Sequence, residues 1–377
     1  RLSGAPCPST TGRRVLLMRL AVDVMGGDHG PEELLQGVKL GLAADPSISR
    51  LHVVGPPSVL EPLMRSVGCI DPRLAIHPAS EVLTMDDKPV QGLRKKKDCS
   101  ILRAVELVRD GLADAVISSG NTGGIVAAAT IRLRTLEGIE RPTIACIMPS
   151  KSGAWVLVDG GANPECSPDN LLQFAVMGSA YSRAMLGRQN PRVGVLSNGS
   201  EESKGTELTR AAVSLIRTSG LNATGYCEGY DLFMDGVDVC VCDGFVGNIV
   251  LKSAESLGKA VGAMLREELT ANPWRMLGAA IARGGLQRIR TRMNPEAYGG
   301  APLLGVHGCV IKIHGGAKRT NVLHSMSQAV RFVRLGLNET LVRAIAEAST
   351  AVASGSPGVV LAEVASPRPS TDPARTP

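Results

Sequence analysis

The stretch Arg192-Val-Gly-Val-Leu196, followed by Ser197-Asn-Gly-Ser-Glu-Glu-Ser-Lys-Gly-Thr-Glu207, is an apolar run that leads into a polar turn containing glycine. The run Val237-Asp-Val-Cys-Val-Cys242 leads in the same way into Asp243-Gly-Phe-Val-Gly-Asn248, and each turn opens a stretch of helical character. A glycine-rich turn between a strand and a helix directs backbone N–H groups and the positive end of the helix dipole at one place. The two stretches therefore predict strand–turn–helix units with an anion site at each turn.

Each of these turns also carries a side chain suited to an anion, Lys204 in the first and Asn248 in the second. A cation, an amide donor and free N–H groups are what a phosphate oxygen and a developing oxyanion need. Both residues are therefore candidate catalytic residues. Structural alternatives stay open, because the lysine is also explained by pairing with Glu201, Glu202 or Glu207, and the asparagine by helix N-capping.

Two further turns have the same form. The run Ala115–Ser119 leads into Gly120-Asn-Thr-Gly-Gly124, and Ala154–Val158 leads into Asp159-Gly-Gly-Ala-Asn163. One such turn is as easily structural, but four of them, each with Asn, Asp or Lys, predict a shared polar cleft at the carboxyl ends of the strands. The residues expected to bind substrate or phosphate there are Gly120, Asn121, Thr122, Gly123, Asp159, Asn163, Gly199, Gly205, Asp243, Gly244 and Gly247.

Missing motifs narrow the chemistry. The chain has no G-x-x-x-x-G-K-S/T, no G-x-G-x-x-G and no G-x-S-x-G, which counts against a Walker nucleotide site, a dinucleotide fingerprint and a hydrolase nucleophile elbow. Its six histidines show neither H-E-x-x-H nor H-x-x-x-x-D spacing. An enzyme of this kind can still transfer acyl groups if its second substrate is already a good nucleophile, as ionised phosphate is.

Composition indicates a cytosolic α/β enzyme without a metal or organic cofactor. The 377 residues are 44% hydrophobic and only 3% aromatic, with 43 glycines, which predicts tight turns and an aliphatic core. Nine cysteines without a C-x-x-C pair indicate a reducing compartment, and Cys240 and Cys242 on one strand face favour core packing over metal binding. A net charge of +6 is too small to indicate nucleic acid, and no apolar run is long enough to cross a bilayer.

Alternation of apolar runs with helical stretches predicts the fold class: α/β, with a largely parallel sheet and helices on both faces. We expect residues 1–17 to be a disordered or non-native extension and residues 351–377 to be a disordered tail. Residues 18–350 form the predicted α/β domain, for which two intimately joined lobes are an option.

Five motifs closely resemble the PlsX family of bacterial phosphate acyltransferases, and the resemblance runs from about residue 18 to about residue 345. They are Ala21-Val-Asp-Val-Met-Gly-Gly-Asp-His-Gly-Pro-Glu32, Asp87-Lys-Pro-Val-Gln-Gly-Leu-Arg-Lys-Lys-Lys-Asp98, Ser119-Gly-Asn-Thr-Gly123, Gln173-Phe-Ala-Val-Met-Gly178 and Asp243-Gly-Phe-Val-Gly-Asn248.

The resemblance implies that acyl-carrier-protein thioester and inorganic phosphate give acyl phosphate and free carrier protein, in phospholipid synthesis. It also implies a homodimer with a fold similar to isocitrate/isopropylmalate dehydrogenases and phosphotransacetylases. Lys204 and Asn248 match the family's lysine and asparagine thought to matter for catalysis. Two turns depart from the family pattern, at residues 159–163 and 197–200, and both keep the glycine and polar spacing.

The expected chemistry needs no covalent acyl intermediate, because a thioester carbonyl is already electrophilic. The site must hold phosphate at near-attack distance and stabilise a tetrahedral oxyanion. Turn and capping roles are the expectation for Asp23 and Asp28, and structural roles for His29 and His314.

Two surface features bear on partners. Either Arg94-Lys-Lys-Lys97 or the group Arg283, Arg288, Arg290 and Arg292 suits the acidic helix of a carrier protein, although a solvated basic face is the default reading. The segment Pro273–Ala282 is apolar with flanking arginines, and Gly284-Gly285 after it predicts a bend between two helices.

In the resembled family a protruding helical hairpin, here at about residues 255–295, is linked to membrane association. The expected membrane contacts are Trp274, Met276, Leu277 and Ile281. Burial in a dimer interface explains this stripe equally well. We therefore expect a cytoplasmic, peripherally membrane-associated protein, with the membrane glycerol-3-phosphate acyltransferase that uses acyl phosphate as a possible contact. Alternatives are a phosphotransacetylase-like enzyme using acyl-CoA and a non-catalytic carrier-protein- or membrane-binding scaffold.

Overall fold

The computed structural model of the chain describes residues 17–293 and 298–354, in which two β-sheets are surrounded by helices. The strands are β1 (Met18–Asp23), β2 (Ile48–Gly55), β3 (Leu74–Pro78), β4 (Ala115–Ser118), β5 (Thr143–Ile144), β6 (Cys146–Pro149), β7 (Ala154–Val158), β8 (Arg192–Leu196), β9 (Asn222–Cys227), β10 (Val239–Val241), β11 (Ala301–Leu304) and β12 (Cys309–Lys312).

The helices follow most of the strands along the chain. They are α1 (Gly30–Ala44), α2 (Pro57–Ser66), α3 (Pro89–Lys95), α4 (Ser100–Arg109), α5 (Thr122–Arg132), α6 (Pro168–Leu186), α7 (Glu207–Thr218), α8 (Gly229–Phe233), α9 (Gly244–Thr270), α10 (Pro273–Ile281), α11 (Arg283–Arg292), α12 (Arg319–Arg334) and α13 (Leu337–Ser354).

The sheets have the strand orders β3-β2-β1-β4-β12-β11-β5 and β6-β7-β10-β8-β9. In the first, β1 is parallel to β2 and β4, and β12 is parallel to β4, whereas β11 is antiparallel to both neighbours. In the second, β10 is parallel to β7 and β8, β8 is parallel to β9, and β6 is antiparallel to β7. The predicted α/β class with mostly parallel strands is thus confirmed, with two sheets in place of one.

The apolar run Ile144–Ile147, which reads as one strand, is where the two sheets meet. Ile144 in β5 pairs with β11 of the first sheet, whereas Cys146 and Ile147 in β6 pair with β7 of the second. Between them the N–H of Ala145 donates to the carbonyl of Pro302 at 3.0 Å. Because β-pairing depends on distant partners, a single hydrophobic run carries no local signal that it will serve two sheets.

Helix α6 lies against the second sheet and shows how the core is built with few aromatic residues. It begins at a capping box formed by Ser167 and Asn170. It ends at Gly187, whose φ of 71° lies in the left-handed region, which residues with a Cβ rarely adopt. Its Phe174 and Tyr181 are fully buried. The Tyr181 hydroxyl accepts a hydrogen bond from Gln328 of α12 at 2.8 Å, so the polar tip of the ring is satisfied inside the core.

Helices α9 to α11 form the predicted protruding hairpin, but its first arm begins before residue 255. Helix α9 runs without a break from Gly244 to Thr270, so the arm starts at the polar turn after β10. The second arm changes direction at Ala282, and Gly284 and Gly285 lie inside α11 and not at the bend.

The two terminal segments that were expected to be disordered or non-native, residues 1–17 and 351–377, lie only partly within the described residues. Helix α13 continues to Ser354, inside the stretch 351–377 that was expected to be a disordered tail, because its buried face packs on the domain. The rest of that tail and residues 1–16 of the predicted extension lie outside the described residues.

Candidate functional site

Three of the four predicted polar turns follow neighbouring strands of the second sheet. Strand β10 lies between β7 and β8, and its Val241 is in register with Val158 and with Val195. Since all three strands are parallel, the turns that begin at residues 159, 197 and 243 leave the same edge of the sheet. This adjacency brings the two candidate catalytic segments together.

The turn after β7 is organised by the carboxylate of Asp159, which is fully buried. Its oxygens accept hydrogen bonds from the N–H groups of Ile144 (3.0 Å), Gly161 (3.2 Å), Ala162 (3.1 Å) and Asn163 (2.7 Å), and from the Asn163 amide (2.9 Å). Burial raises the pKa of this carboxyl group, and the hydrogen bonds from the turn oppose that rise. Both oxygens are therefore engaged with the chain itself.

Asn163 also has a positioning role in the structure. Its amide donates to the carbonyl of Pro142 at 2.7 Å and to Asp159, and its carbonyl accepts from the N–H of Gly244 at 2.7 Å. It thereby joins the turn after β7 to the first residue of α9. Direct binding of substrate by Asp159 or Asn163 stays a prediction.

The N-cap of α9 is Asp243, whose Oδ1 accepts from the N–H of Val246 at 2.9 Å. The predicted N-cap alternative for Asn248 is therefore wrong, because the Asp243 side chain starts the helix one turn earlier. Asn248 lies in the second turn, half-buried, and a Cβ placed on Gly161 would be 3.3 Å from the Asn248 Cβ. No hydrogen bond of the Asn248 side chain occurs within the described residues, so its amide is available to a ligand.

Lys204 is exposed in the long turn between β8 and α7. Its N–H donates to the carbonyl of Glu201 at 2.9 Å, and its side-chain stem lies beside Gly199. Among the described residues its ammonium forms no ion pair with the neighbouring glutamates, and Glu202 pairs with Arg217 at 3.4 Å instead. The ammonium of Lys204 thus remains free to meet an anion at the strand edge.

The fourth turn, at residues 120–123, follows β4 and so belongs to the first sheet. Asn121 is the N-cap of α5, with Oδ1 accepting from the N–H of Gly124 at 2.9 Å. Its amide nitrogen donates to three carbonyls of the segment before α3, those of Thr84 (3.1 Å), Met85 (3.2 Å) and Asp87 (3.3 Å). Asn121 therefore fastens a neighbouring segment to the turn, as well as capping its helix.

Lys312, which the sequence reasoning missed, lies at the end of β12 beside the turn after β4. Its ammonium donates to the carbonyl of Ser119 at 3.3 Å and to that of Ile313. Burial lowers the pKa of Lys312 to about 8, against the opposing effect of Asp23 and Asp28. A single lysine that ends the apolar run from residue 309 was the available signal, but β12 itself was not predicted.

The pKa of Lys312 also depends on Lys252, a residue of the helix that follows the second sheet. Lys252 of α9 is close enough for its positive charge to lower the pKa of Lys312 further. Helix α9 starts at the edge of the second sheet, whereas Lys312 ends a strand of the first. A single cleft shared by all four turns stays a prediction.

Asp23 has the turn role expected of it, whereas for Asp28 only a hydrogen bond of the backbone is described. The carboxylate of Asp23 accepts from the Ser118 hydroxyl at 2.7 Å and from the N–H of Met25 at 3.1 Å, and burial raises its pKa. The N–H of Asp28 donates to the carbonyl of Gly315 at 2.8 Å. Within the described residues there is no cluster of His, Cys, Asp and Glu able to hold a metal ion.

The hairpin carries the predicted apolar stripe at its far end. Trp274 and Ile281 are 82% and 81% exposed, and Met276 and Leu277 are 54% and 55% exposed, so none of them is core of this chain. In the described parts of the chain, no helix is both long and apolar enough to span a membrane. The stripe is therefore exposed in the single chain.

Comparison with known proteins identifies the family of the chain. Residues 18–340 match a family described as fatty acid synthesis protein. A phosphate acyltransferase of Akkermansia muciniphila is 40% identical over 339 residues, which cover 88% of this chain and 97% of that protein. A phosphate acyltransferase of Heliobacterium modesticaldum is 43% identical over 331 residues, with coverage of 88% and 97%.

Among solved structures, a phosphotransacetylase from Streptococcus pyogenes superposes with a TM-score of 0.57 at 17% identity, over 85% of this chain and 97% of that one. A phosphotransacetylase from Staphylococcus aureus gives 0.51 at 17% identity, over 83% and 96%. The predicted similarity in fold to phosphotransacetylases is confirmed. By its sequence relatives, the chain belongs to the PlsX family of phosphate acyltransferases.

Proposed function

We propose that this chain transfers the acyl group of an acyl-carrier-protein thioester to inorganic phosphate, giving acyl phosphate and free carrier protein for phospholipid synthesis. The observation that carries the proposal is the adjacency of β8 and β10, whose turns bear Lys204 and Asn248. The phosphate acyltransferases reported above supply the reaction class.

The groups at the strand edge suit each stage of this reaction. A phosphate oxygen attacks the thioester carbonyl carbon, and the carbonyl oxygen becomes the oxyanion of a tetrahedral intermediate. When that intermediate collapses, the C–S bond breaks and the carrier protein leaves as a thiolate that takes up a proton. Lys204 neutralises phosphate or the oxyanion, Asn248 donates through its amide, and the first turn of α9 adds its dipole.

The cysteines nearest the turns support direct attack by phosphate. Cys166 donates through its thiol to the carbonyl of Asn163 at 3.5 Å, and burial, with the charges of Asp159 and Asp243, raises its pKa to about 12. Burial likewise raises the pKa of Cys146 to about 12. Because the thiolate is the nucleophile, thiols held protonated are poor acceptors of an acyl group.

The experiment supplies purified protein with palmitoyl-acyl-carrier protein and phosphate, and traps acyl phosphate with hydroxylamine. A parallel sample without phosphate is digested and its peptides are weighed. We expect phosphate-dependent hydroxamate and no acylated peptide. Absence of hydroxamate with fully folded protein overturns the proposed reaction, whereas a stoichiometric acyl-cysteine or acyl-serine peptide overturns direct attack alone. Palmitoyl-CoA in place of the carrier protein tests the phosphotransacetylase-like alternative.

We further propose that the protein is a cytoplasmic homodimer that binds the membrane peripherally through the hairpin. The exposure of Trp274, Met276, Leu277 and Ile281 supports this, because several large apolar side chains on one projecting arm favour burial against lipid or a partner. Such contact would deliver the reactive acyl phosphate to the membrane glycerol-3-phosphate acyltransferase that consumes it.

A further inference from the structure

A strongly basic surface lies on and beside helix α3. It consists of Lys88, Arg94, Lys95 and Lys97, and this set is called the basic surface below. All four side chains are exposed, and within residues 17–293 and 298–354 none of them has a hydrogen bond or ion pair. Unpaired cations in such a group attract an acidic partner, although a solvated face is the ordinary explanation of a basic run taken alone.

The backbone that carries the basic surface is held in one conformation. The ammonium of Lys96 donates to the Asp87 carboxylate at 2.5 Å and to the carbonyl of Val82 at 2.9 Å. The same carboxylate accepts from the N–H of Thr84 at 2.7 Å and from its hydroxyl at 2.9 Å. Because the segment is already ordered, a partner that binds it loses little conformational entropy from this side.

The basic surface is attached directly to the candidate site. The side-chain oxygen of Asn121 accepts a hydrogen bond from the N–H of Gly124 in α5. Its amide nitrogen donates to the carbonyls of Thr84, Met85 and Asp87. Two residues after Asn121, a Cβ placed on Gly123 would be 2.5 Å from the Pro89 ring, so α3 and the turn after β4 are in contact. A protein bound at α3 therefore lies beside the turn after β4.

Apolar side chains lie among the cations. Met85 and Val90 are 50% and 46% exposed, on the same short segment. Asp86 is an exposed acidic neighbour, but Asp87 is neutralised by Lys96, so positive charge is in excess. Exposed apolar side chains beside cations on one segment fit an amphipathic helix whose polar face is acidic.

We propose that the basic surface docks an acidic, helical carrier protein and so aims its thioester-bearing arm at the turn after β4. This inference rests on the proposed function, because that reaction requires such a protein as the acyl donor. The rival basic group on α11 has no such connection to a predicted polar turn. Arg283, Arg288 and Arg290 are exposed without a described hydrogen bond, and Arg292 donates to the carbonyl of Lys151, before β7.

The experiment compares Lys95→Glu/Lys97→Glu with the control Arg334→Glu/Arg343→Glu, which makes the same change in charge at exposed positions of α12 and α13. Binding of labelled acyl-carrier protein is measured by fluorescence anisotropy at low and high salt. Turnover is measured with palmitoyl-acyl-carrier protein and, separately, with palmitoyl-pantetheine, a thioester that has no protein to dock.

We expect the first variant to weaken carrier binding and raise the KM for the carrier substrate about tenfold or more, with turnover of palmitoyl-pantetheine unchanged. High salt should erase the difference from the wild type. The control variant should match the wild type in every measurement. A neutral variant, Lys95→Gln/Lys97→Gln, should give an intermediate loss.

Three outcomes overturn the docking proposal: carrier binding that Lys95→Glu/Lys97→Glu retains, equal loss of turnover with both thioesters, or an equal loss of carrier binding in the control Arg334→Glu/Arg343→Glu. Failure of the proposed function has a different signature. In that case neither thioester yields acyl phosphate with wild-type protein, while salt-dependent carrier binding and its loss in Lys95→Glu/Lys97→Glu still report on docking.

Discussion

The carbonyl oxygen of Asp159 lies so close to Gly247 that a Cβ placed on that glycine would be 1.9 Å from it. The first turn of α9 and the turn after β7 therefore touch through their backbones. A second contact of the same pair of elements is the hydrogen bond from Gly244 to Asn163. Together they fix where Asn248, one residue beyond Gly247, stands relative to the strand edge.

Gly247→Ala should therefore displace the start of α9. We expect a loss of about 1–3 kcal/mol in the free energy of unfolding from overpacking, and turnover lower by roughly a hundredfold because a shift of about 1 Å misplaces the reacting groups. Gly262→Ala on the same helix is the matched control, since no atom lies within 4 Å of its added Cβ. That variant should be fully active and slightly more stable. Equal activity of the two variants contradicts the close approach of Gly247.

Lys204→Ala and Asn248→Ala should each reduce turnover by about 10²–10³-fold, the usual effect of removing one oxyanion-type donor. Circular dichroism and thermal melting should match the wild type, because neither side chain has a described hydrogen bond to lose. Initial rates of hydroxamate formation at saturating phosphate give the measurement. A folded variant with near-normal turnover removes that residue from the site.

Lys312 predicts a pH dependence of stability. Its pKa is about 8 in the folded protein against 10.5 for an ordinary lysine, so between these values the unfolded chain holds a proton that the folded chain has released. The free energy of unfolding then rises with pH across this window, by at most about 1.4 kcal/mol per pH unit. Below the window Lys312 contributes no pH dependence, because it is protonated in both the folded and the unfolded chain. Lys312→Met should remove this rise.

Urea unfolding across the same pH window, for the wild type and Lys312→Met, measures the effect. Lys259→Met is the control, since Lys259 is exposed on α9 and should keep the rise. Parallel curves for wild type and Lys312→Met mean that Lys312 titrates as an ordinary lysine.

Leu277→Glu/Ile281→Glu should release the protein from anionic vesicles in a sedimentation assay. Each apolar side chain withdrawn into lipid contributes roughly 1.5–3 kcal/mol, so the loss of two suffices to abolish reversible binding. Acyl-phosphate synthesis in solution should be spared, because the stripe is at the far end of the hairpin from Asn248. Dissociation into monomers or unfolding, seen by light scattering, assigns the stripe to a subunit interface instead.

The turns at residues 159–163, 197–206 and 243–248 could be predicted from the sequence alone. An apolar run followed by glycine and one polar side chain is a local signal, because the turn needs glycine whatever surrounds it. The motifs at residues 21–32 and 87–98 carried the family resemblance, and with it the reaction class. The fold class followed from the alternation of strands and helices for the same local reason.

Only the tertiary structure decided how these segments are used. It divided the run at residues 144–147 between two sheets, gave the N-cap of α9 to Asp243, and buried Lys312 so that its pKa is lowered. It also made Asn121 the link between the turn after β4 and the segment that carries the basic surface. Each of these depends on groups distant in sequence, whose desolvation and hydrogen bonding are settled only when the strands and helices pack together.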